Sequence, residues 1–236
     1  MDALGLDFDE LTALLVETDK DKHFLVEVSP ESVEAWAALL GVPVRRRYVA
    51  DEHLEARAAQ GIEPGALAGT YVPDNPSVMS GDFGEMIAAF YLASKQDGAI
   101  DPLKWRFKND RNKSAPTSDV VRFFLPAWPE ASEEDHAECA EVKSKPSSGN
   151  SKPIVSTLKG SETDRSGRLD KTLNWLKELA IQGTLADPDW DEAMRIRFAE
   201  HHFDAALIGP VDYNYTTDKA GLLIGGVDSN ADGGVS

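Results

Sequence analysis

Two apolar segments, Asp119 to Leu125 and Ala137 to Lys143, constrain the fold of this chain more than any other feature. The first is built mainly from Val, Phe and Leu and ends before a proline, which predicts a β-strand. The second predicts a strand whose period of two places Glu141 and Lys143 on one face. If the two strands pair, Asp119 joins them, and two carboxylates able to hold a divalent metal ion lie beside an ammonium group. This combination is typical of a metal-dependent nuclease.

The composition indicates a soluble globular protein. Hydrophobic residues make up 42% of the 236 positions, enough for the core of one large domain or two small ones. No apolar run approaches the roughly 18 residues of a membrane span, and the acidic N-terminus lacks the pattern of a signal peptide. We therefore expect a cytoplasmic protein without a membrane segment. The single cysteine, Cys139, excludes an intramolecular disulfide and a thiolate zinc site built from this chain, and is expected in the core.

The charge distribution is uneven. A formal net charge of −17 argues against unaided, non-specific binding to nucleic acid, which depends on Lys and Arg neutralising phosphates. However, residues 104–122 contain six basic and two acidic residues, and residues 143–171 contain seven basic and three acidic residues. These basic stretches bracket the two strands. They either guide phosphate to the site or are solvated loop charges.

The first 75 residues carry weaker patterns. They predict a helix at Asp9 to Glu17, a strand at His23 to Val28 and a helix at Pro30 to Leu40. The Gly- and Pro-rich stretch from Gly61 to Ser77 predicts an irregular connection.

A helix predicted at Asp82 to Lys95 is apolar nearly all round and therefore buried. Glu85 lies in its predicted first turn, where two roles are open. Asp82 and Glu85 have the spacing of a capping box, which would make Glu85 structural. Alternatively, Asp82 caps the helix alone and Glu85 faces the metal site.

The remaining pattern predicts strands and helices on both sides of the two apolar segments. A flexible Ser-, Gly- and Pro-rich loop at residues 144–153 precedes an amphipathic helix. The predicted elements are a strand at Leu103 to Lys108, helices at Thr163 to Ile181 and Asp189 to His202, and strands at Phe203 to Gly209 and Leu222 to Val227. Around the site, the order is thus helix, three strands, helix, strand.

An acidic helix with Glu85, Asp119 at the head of a strand, and Glu141-x-Lys143 on the next strand resemble the PD-(D/E)xK nuclease superfamily. The resemblance covers about residues 80–210, and the Pro-Asp dipeptide of the superfamily's name is absent. It implies an α/β (α+β) fold with a restriction-endonuclease-like core, in which helices flank a mixed central sheet. The expected organisation is an N-terminal region at 1–75 packed on a nuclease-like core at 76–227, followed by a disordered tail at 228–236.

Within that superfamily, the size of the chain, the GDFGE helix entry, and the SDVVRF and EVKSK strands are similar to the small nuclease subunit of Hachiman-type bacterial anti-phage defence systems. That resemblance implies DNA as the substrate and a helicase or ATPase subunit as the partner. A helicase would supply the nucleic-acid track that this acidic chain lacks.

The resemblance also implies a role for each site residue. Asp119, Glu141 and the backbone carbonyl of Val142 would bind Mg²⁺ or Mn²⁺, and Lys143 would orient the attacking water or stabilise charge on the phosphorus. Glu85 would complete a second metal position or bind a metal water. Candidate phosphate contacts are Lys145, Arg165 and Arg168.

Two alternatives remain open at this level. Glu141 and Lys143 can form a salt bridge on an exposed strand, although the apolar neighbours favour partial burial. The whole chain can also be a non-catalytic interaction or regulatory protein that keeps a nuclease-like fold.

Overall fold

The computed structural model describes residues 4–19, 24–95, 99–115, 118–144, 153–182, 192–200, 204–208 and 223–224. The α-helices of these residues are α1 Phe8–Ala13, α2 Val33–Tyr48, α3 Asp51–Ala58, α4 Pro64–Tyr71, α5 Pro76–Lys95, α6 Pro153–Thr163, α7 Leu169–Ile181 and α8 Glu192–Glu200. The strands are β1 Leu15–Asp19, β2 Phe24–Val28, β3 Ala99–Ile100, β4 Val120–Phe124, β5 His136–Ala140, β6 Asp204–Ile208 and β7 Leu223–Ile224. None of the described helices is long and apolar enough to cross a membrane.

The strands form two mixed sheets. The smaller sheet has the order β1-β2-β7, with β1 antiparallel and β7 parallel to β2. The larger sheet has the order β3-β4-β5-β6. Strand β4 runs antiparallel to both β3 and β5, and β6 runs parallel to β5. The predicted mixed sheet in an α/β chain is confirmed, and the finer prediction of a restriction-endonuclease-like core stays a prediction.

Helices cover both faces of the larger sheet. Alternate residues of β4 and β5 point to opposite sides, so Val120 and Ala140 pack in the cluster that contains α5, whereas Val121 and Cys139 pack with α7 and α8. Cys139 is a free, buried thiol, as predicted. The first cluster also contains Leu4, Leu6, Leu11, Leu40 and Tyr48, so the N-terminal helices share a core with α5.

The β4 and β5 register brings the two predicted carboxylates together. Val120 lies opposite Ala140, so the next residues outward are Asp119 and Glu141. The ladder stops there because the Asp119 side chain, rather than a main-chain carbonyl, accepts the Val142 N–H at 2.8 Å. The predicted strand through Lys143 is therefore wrong by three residues, and Glu141 and Lys143 lie just beyond the strand end.

Several N-terminal predictions needed correction. The helix predicted to reach Glu17 ends at Ala13, because residues 15–19 pair with β2 as a strand. The helix predicted to end at Leu40 continues to Tyr48 through an internal proline. The stretch from Gly61 to Ser77 is not irregular, since it contains α4 and the start of α5.

The C-terminal half also differs in detail. Leu103 to Lys108 is not a strand, because Lys104–Phe107 form a 3₁₀ turn and β3 supplies the third strand instead. The helix predicted at Thr163 to Ile181 is α7, which begins at Leu169; a kinked turn at Asp164–Arg168 joins it to α6, which the pattern did not predict. The strands at 204–208 and 223–224 confirm the last two predicted strands, and the tail at 228–236 lies outside the described residues.

Candidate metal and phosphate site

A cleft of about 480 Å³ lies between the first half of α5 and the ends of β4 and β5. Its lining is rich in small polar side chains and carries two carboxylates and one ammonium. The lining residues are Pro76, Ser77, Ser80, Gly81, Glu85, Ser114, Asp119, Val142, Lys143 and Ser144. The α5 helix can approach Ser144 closely because Gly84 has no side chain. A Cβ added at Gly84 would lie 2.9 Å from the Cβ of Ser144. Three of the predicted site residues, Glu85, Asp119 and Lys143, thus share one cleft.

The ammonium of Lys143 lies where the predicted metal ligands converge. Its Nζ bonds to Oε1 of Glu141, lies 3.2 Å from the carbonyl oxygen of Val142 and is 3.6 Å from Oδ2 of Asp119. These three oxygens are the donors that the sequence predicts for a divalent ion. The three oxygens therefore meet at one point, which is occupied by the ammonium of Lys143.

Glu141 is the most enclosed carboxylate of the group, with a side chain 2% exposed. Burial raises its pKa, as does the charge of Asp119, and the two cations Lys143 and Arg168 act in the opposite direction. Burial lowers the pKa of Lys143, but Glu141 and Asp119 outweigh this and raise it, so the lysine is firmly protonated. The Glu141–Lys143 salt bridge of the structural alternative is present, but the carboxylate is buried rather than on an exposed strand.

Glu85 lies in the interior of α5 rather than in its first turn, because the helix begins six residues before Asp82. The capping-box alternative is therefore wrong, and Asp82 instead bonds to Lys108 and Tyr48. Lys104 Nζ lies 2.8 Å from Oε2 of Glu85, yet that buried oxygen has no aligned hydrogen-bond donor among the described residues. Burial raises the pKa of Glu85 to about 7, with Asp119 adding to the rise and Lys104 opposing it.

Three basic residues of the 104–122 stretch form buried ion pairs. Lys104 pairs with Glu85, Lys108 with Asp82, and Arg122 with Glu138, and all three basic side chains are 3–4% exposed. For these residues the solvated-loop alternative is wrong. Lys145 and the side chain of Arg165 lie outside the described part of the structure.

The sequence pattern missed a network behind Glu141. Arg168 bonds to Glu141 and also to Asp164, through Nε to Oδ1 at 2.6 Å and Nη2 to Oδ2 at 2.8 Å. Asp164 in turn accepts a bond from the Ser118 hydroxyl at 2.5 Å. The four-residue spacing of Asp164 and Arg168 was a signal for their pairing on a helix, whereas nothing local indicated the contact with Glu141.

Carboxylates alone do not complete a metal site. Among the described residues, no group of three or more His, Cys, Asp or Glu side chains lies close enough to hold a metal ion. Asp119 and Glu141 reach three oxygen donors only with the Val142 carbonyl, and Glu85 pairs with Lys104.

Comparison with known proteins identifies the family but adds no template. No curated protein and no solved structure matches the chain. The HamA family model matches residues 6–216, so the similarity includes the N-terminal helices and is not confined to residues 80–210. The chain therefore belongs to the HamA family, that of the Hachiman-type defence subunit.

Proposed function

We propose that this chain is a metal-dependent nuclease that hydrolyses phosphodiester bonds of DNA, as the effector subunit of a defence complex with a helicase partner. The observation that carries the proposal is the convergence of Asp119, Glu141 and the Val142 carbonyl on one cation position at the cleft. Family membership supports the defence role.

The residues of the cleft fit Mg²⁺ or Mn²⁺. Both ions prefer carboxylate, carbonyl and water oxygens, which are the groups that surround the ammonium of Lys143. Besides burial, the charge of Asp119 raises the pKa values of Glu85 and Glu141, so the three carboxylates repel one another. The buried Glu85 oxygen without an aligned donor points to a need for a further cation.

Each residue has a role that its position supports. Asp119, Glu141 and the Val142 carbonyl would hold the ion, which when bound supplies a Lewis acid for the phosphodiester and acidifies a water. Lys143, whose side chain is 37% exposed, would turn from the carboxylates towards the cleft. There its ammonium would orient the attacking water or stabilise charge on the phosphate oxygens. Glu85 would bind a water of the ion or a second ion.

The cleft also offers neutral contacts for a nucleic-acid backbone. The hydroxyls of Ser77, Ser80, Ser114 and Ser144 line it and can donate hydrogen bonds to phosphate oxygens. Lys145 and Arg165 remain candidate phosphate contacts from the loop and the turn that follow.

Nuclease assays test the proposal directly. Wild type, Glu141→Ala and Lys143→Ala would be incubated with plasmid and single-stranded DNA, with Mg²⁺ or a chelator, alone and with the proposed helicase partner. We expect metal-dependent cleavage by wild type and a loss of at least about 100-fold in both variants.

The matched control is Glu138→Gln. Glu138 is a buried glutamate of β5 paired with an arginine, Arg122, whereas Glu141 lies just beyond the strand end and bonds to Lys143 of the cleft. It should retain cleavage below its melting temperature. Equal behaviour of wild type and both site variants under every condition would reject the nuclease proposal.

A non-catalytic interaction protein is the second candidate. It is favoured by one observation, the neutralisation of Glu141 by Lys143 and Arg168, since a fold without catalysis also needs its buried carboxylates paired. Such a protein would bind its partner normally and show no difference between wild type and the two site variants in cleavage.

A further inference from the structure

Arg168 contacts Glu141 without being part of the cleft lining. The cleft lining includes Lys143, Val142 and Asp119 but does not include Arg168. Lys143 engages Oε1 of Glu141, and Arg168 Nη2 engages Oε2. The two oxygens of this carboxylate thus have different partners, one from the cleft and one from the helices behind it.

The guanidinium of Arg168 is held in a fixed position. It forms a two-point pair with Asp164 and donates a third bond to the Gly160 carbonyl at 3.1 Å. Asp164 is itself fixed, because the Ser118 hydroxyl donates to it and Ser118 is 0% exposed next to β4. The Thr172 hydroxyl lies 3.1 Å from that of Ser118 and donates to the Arg168 carbonyl at 2.9 Å. The network connects the end of β5 to the junction of α6 and α7.

The backbone around Arg168 is shaped for this contact. The residues Asp164–Arg168 form a kinked turn between α6 and α7, and Gly167 has φ +123°, which a residue with a Cβ rarely adopts. Gly160 removes a further obstacle, since an added Cβ there would overlap the Glu141 carboxylate. Both glycines allow α6 and Arg168 to lie directly against one glutamate.

Charge balance suits a supporting role for this arginine. A lone guanidinium beside a metal ligand would repel a divalent cation, but Asp164 offsets its charge at two points. The pair of Asp164 and Arg168 therefore presents hydrogen-bond donors to Glu141 with little net charge. Groups behind a metal ligand commonly orient it in this manner.

We propose that Arg168, braced by Asp164, is a positioning residue for the metal site: it fixes Oε2 of Glu141 so that Oε1 points at the cation position shared with Asp119 and Val142. This inference rests on the proposed function. It assigns Arg168 to the ligand rather than to phosphate, and it requires only Lys143 to move when a divalent ion binds.

Mn²⁺ binding tests the inference without relying on catalysis. Affinity would be measured by titration calorimetry or by the EPR signal of free Mn²⁺, for wild type, Arg168→Gln, Arg168→Lys and Glu141→Gln. We expect Arg168→Gln to weaken Mn²⁺ binding about 10- to 100-fold. Arg168→Lys should bind with intermediate affinity, because one ammonium cannot bridge Glu141 and Asp164 as the planar guanidinium does.

Arg122→Gln is the matched control. Arg122 is likewise paired with a buried glutamate, but its partner is Glu138 on β5 rather than Glu141 at the end of the strand. This variant should lose stability and keep its Mn²⁺ affinity. The rise in melting temperature on adding Mn²⁺ gives a second measure, since it depends on affinity for the folded state. If Arg168→Gln does not fold, Arg168→Lys and Asp164→Asn, each expected to weaken Mn²⁺ binding, take its place.

The direction of the change in Mn²⁺ affinity decides whether the inference about Arg168 holds. Unchanged Mn²⁺ affinity in Arg168→Gln would overturn the inference and leave the nuclease proposal intact, provided that Glu141→Gln abolishes binding. Tighter binding would also overturn it, because Arg168 would then compete with the ion for Glu141. Absence of Mn²⁺ binding by wild type would instead remove the metal site itself, and with it the proposed function.

Discussion

The Glu85 carboxylate shows how strongly a single buried charge depends on its surroundings. It lies on a helix whose neighbouring residues Met86 to Phe90 are almost fully buried, and burial is the main reason for its raised pKa. Lys104 faces it, but the same lysine also donates to the Ser118 carbonyl at 2.8 Å. The ion pair therefore compensates the glutamate only in part, which makes Glu85 sensitive to pH and to any added cation.

A pH dependence of stability follows from this residue. The folded-state pKa of about 7 lies above the usual 4.5, so the folded protein keeps a proton that the unfolded chain releases between these values. The Glu85 contribution to the unfolding free energy is therefore greatest below about pH 4.5 and falls, by up to about 3 kcal/mol, as the pH rises through about 7. Glu85→Gln should lack this dependence in urea unfolding at a series of pH values.

The exposed Glu55 on α3 supplies the control substitution for that experiment. Glu55→Gln should follow the wild-type curve. A Glu85→Gln protein whose unfolding free energy varies with pH in parallel with wild type would show that Glu85 is not the buried titrating group.

At the scale of secondary-structure elements, α6 and the turn after it determine how enclosed Glu141 is. Glycine in a helix interior costs about 1 kcal/mol relative to alanine, so Gly160 is unfavourable for α6 by itself. Its lack of a side chain is explained by the close approach of the helix to Glu141. The helix α6 thus has a lower helix propensity at Gly160, and this glycine permits its contact with Glu141.

Gly160→Ala is therefore expected to destabilise the protein despite the better helix propensity of alanine. The added methyl group would lie 2.7 Å from Cγ of Glu141, so the helix or the carboxylate must shift, at a cost of about 1–3 kcal/mol. The Mn²⁺-dependent rise in melting temperature should fall as well, because Glu141 is displaced. Thermal unfolding with and without Mn²⁺ measures both effects.

Gly69→Ala in α4 is the paired substitution, since a Cβ there meets nothing within 4 Å. It should raise stability by about 0.5–1 kcal/mol through helix propensity alone. A Gly160→Ala protein that gains stability to the same extent would contradict the close contact between α6 and Glu141.

The whole molecule combines a net charge of −17 with several basic residues that are used in buried ion pairs. Lys104, Lys108 and Arg122 have carboxylate partners and little exposed surface, so they contribute little to a phosphate-binding surface. Long-range repulsion between this chain and DNA then opposes binding. A partner that carries the DNA would remove the need for such a surface.

We expect the isolated chain to bind DNA weakly, with a Kd at or above about 10⁻⁴ M at physiological salt and a shallow dependence on salt concentration. With the proposed helicase partner, affinity should rise and the steep salt dependence of that partner's phosphate contacts should appear. Fluorescence anisotropy at several salt concentrations measures both. Nanomolar binding by the chain alone, lost steeply as salt is added, would show that this molecule has a phosphate track of its own.

Local sequence determined the parts of the fold that depend on short-range preferences. Val and Phe in β4 favour a strand, and the period of two on β5 placed Glu141 and Lys143 together, so the meeting of Asp119, Glu141 and Lys143 was predictable once the strands were paired. The apolar α5 and the order of elements around the site were predictable for the same reason. The strand end at Ala140 was not, because it depends on the Asp119 side chain replacing a ladder bond.

Only the tertiary structure decided which cation neutralises each carboxylate. Glu141 and Arg168 are 27 residues apart in the sequence. Their contact requires α6, the kinked turn at Asp164–Arg168 and α7 to pack against the larger sheet. Lys104 likewise reaches Glu85 only because α5 packs against the larger sheet. Side-chain spacing within a strand or helix is a local property, whereas pairing between elements follows from how their apolar faces pack. The carboxylates could thus be predicted from the sequence, and the residues that hold them in position could not.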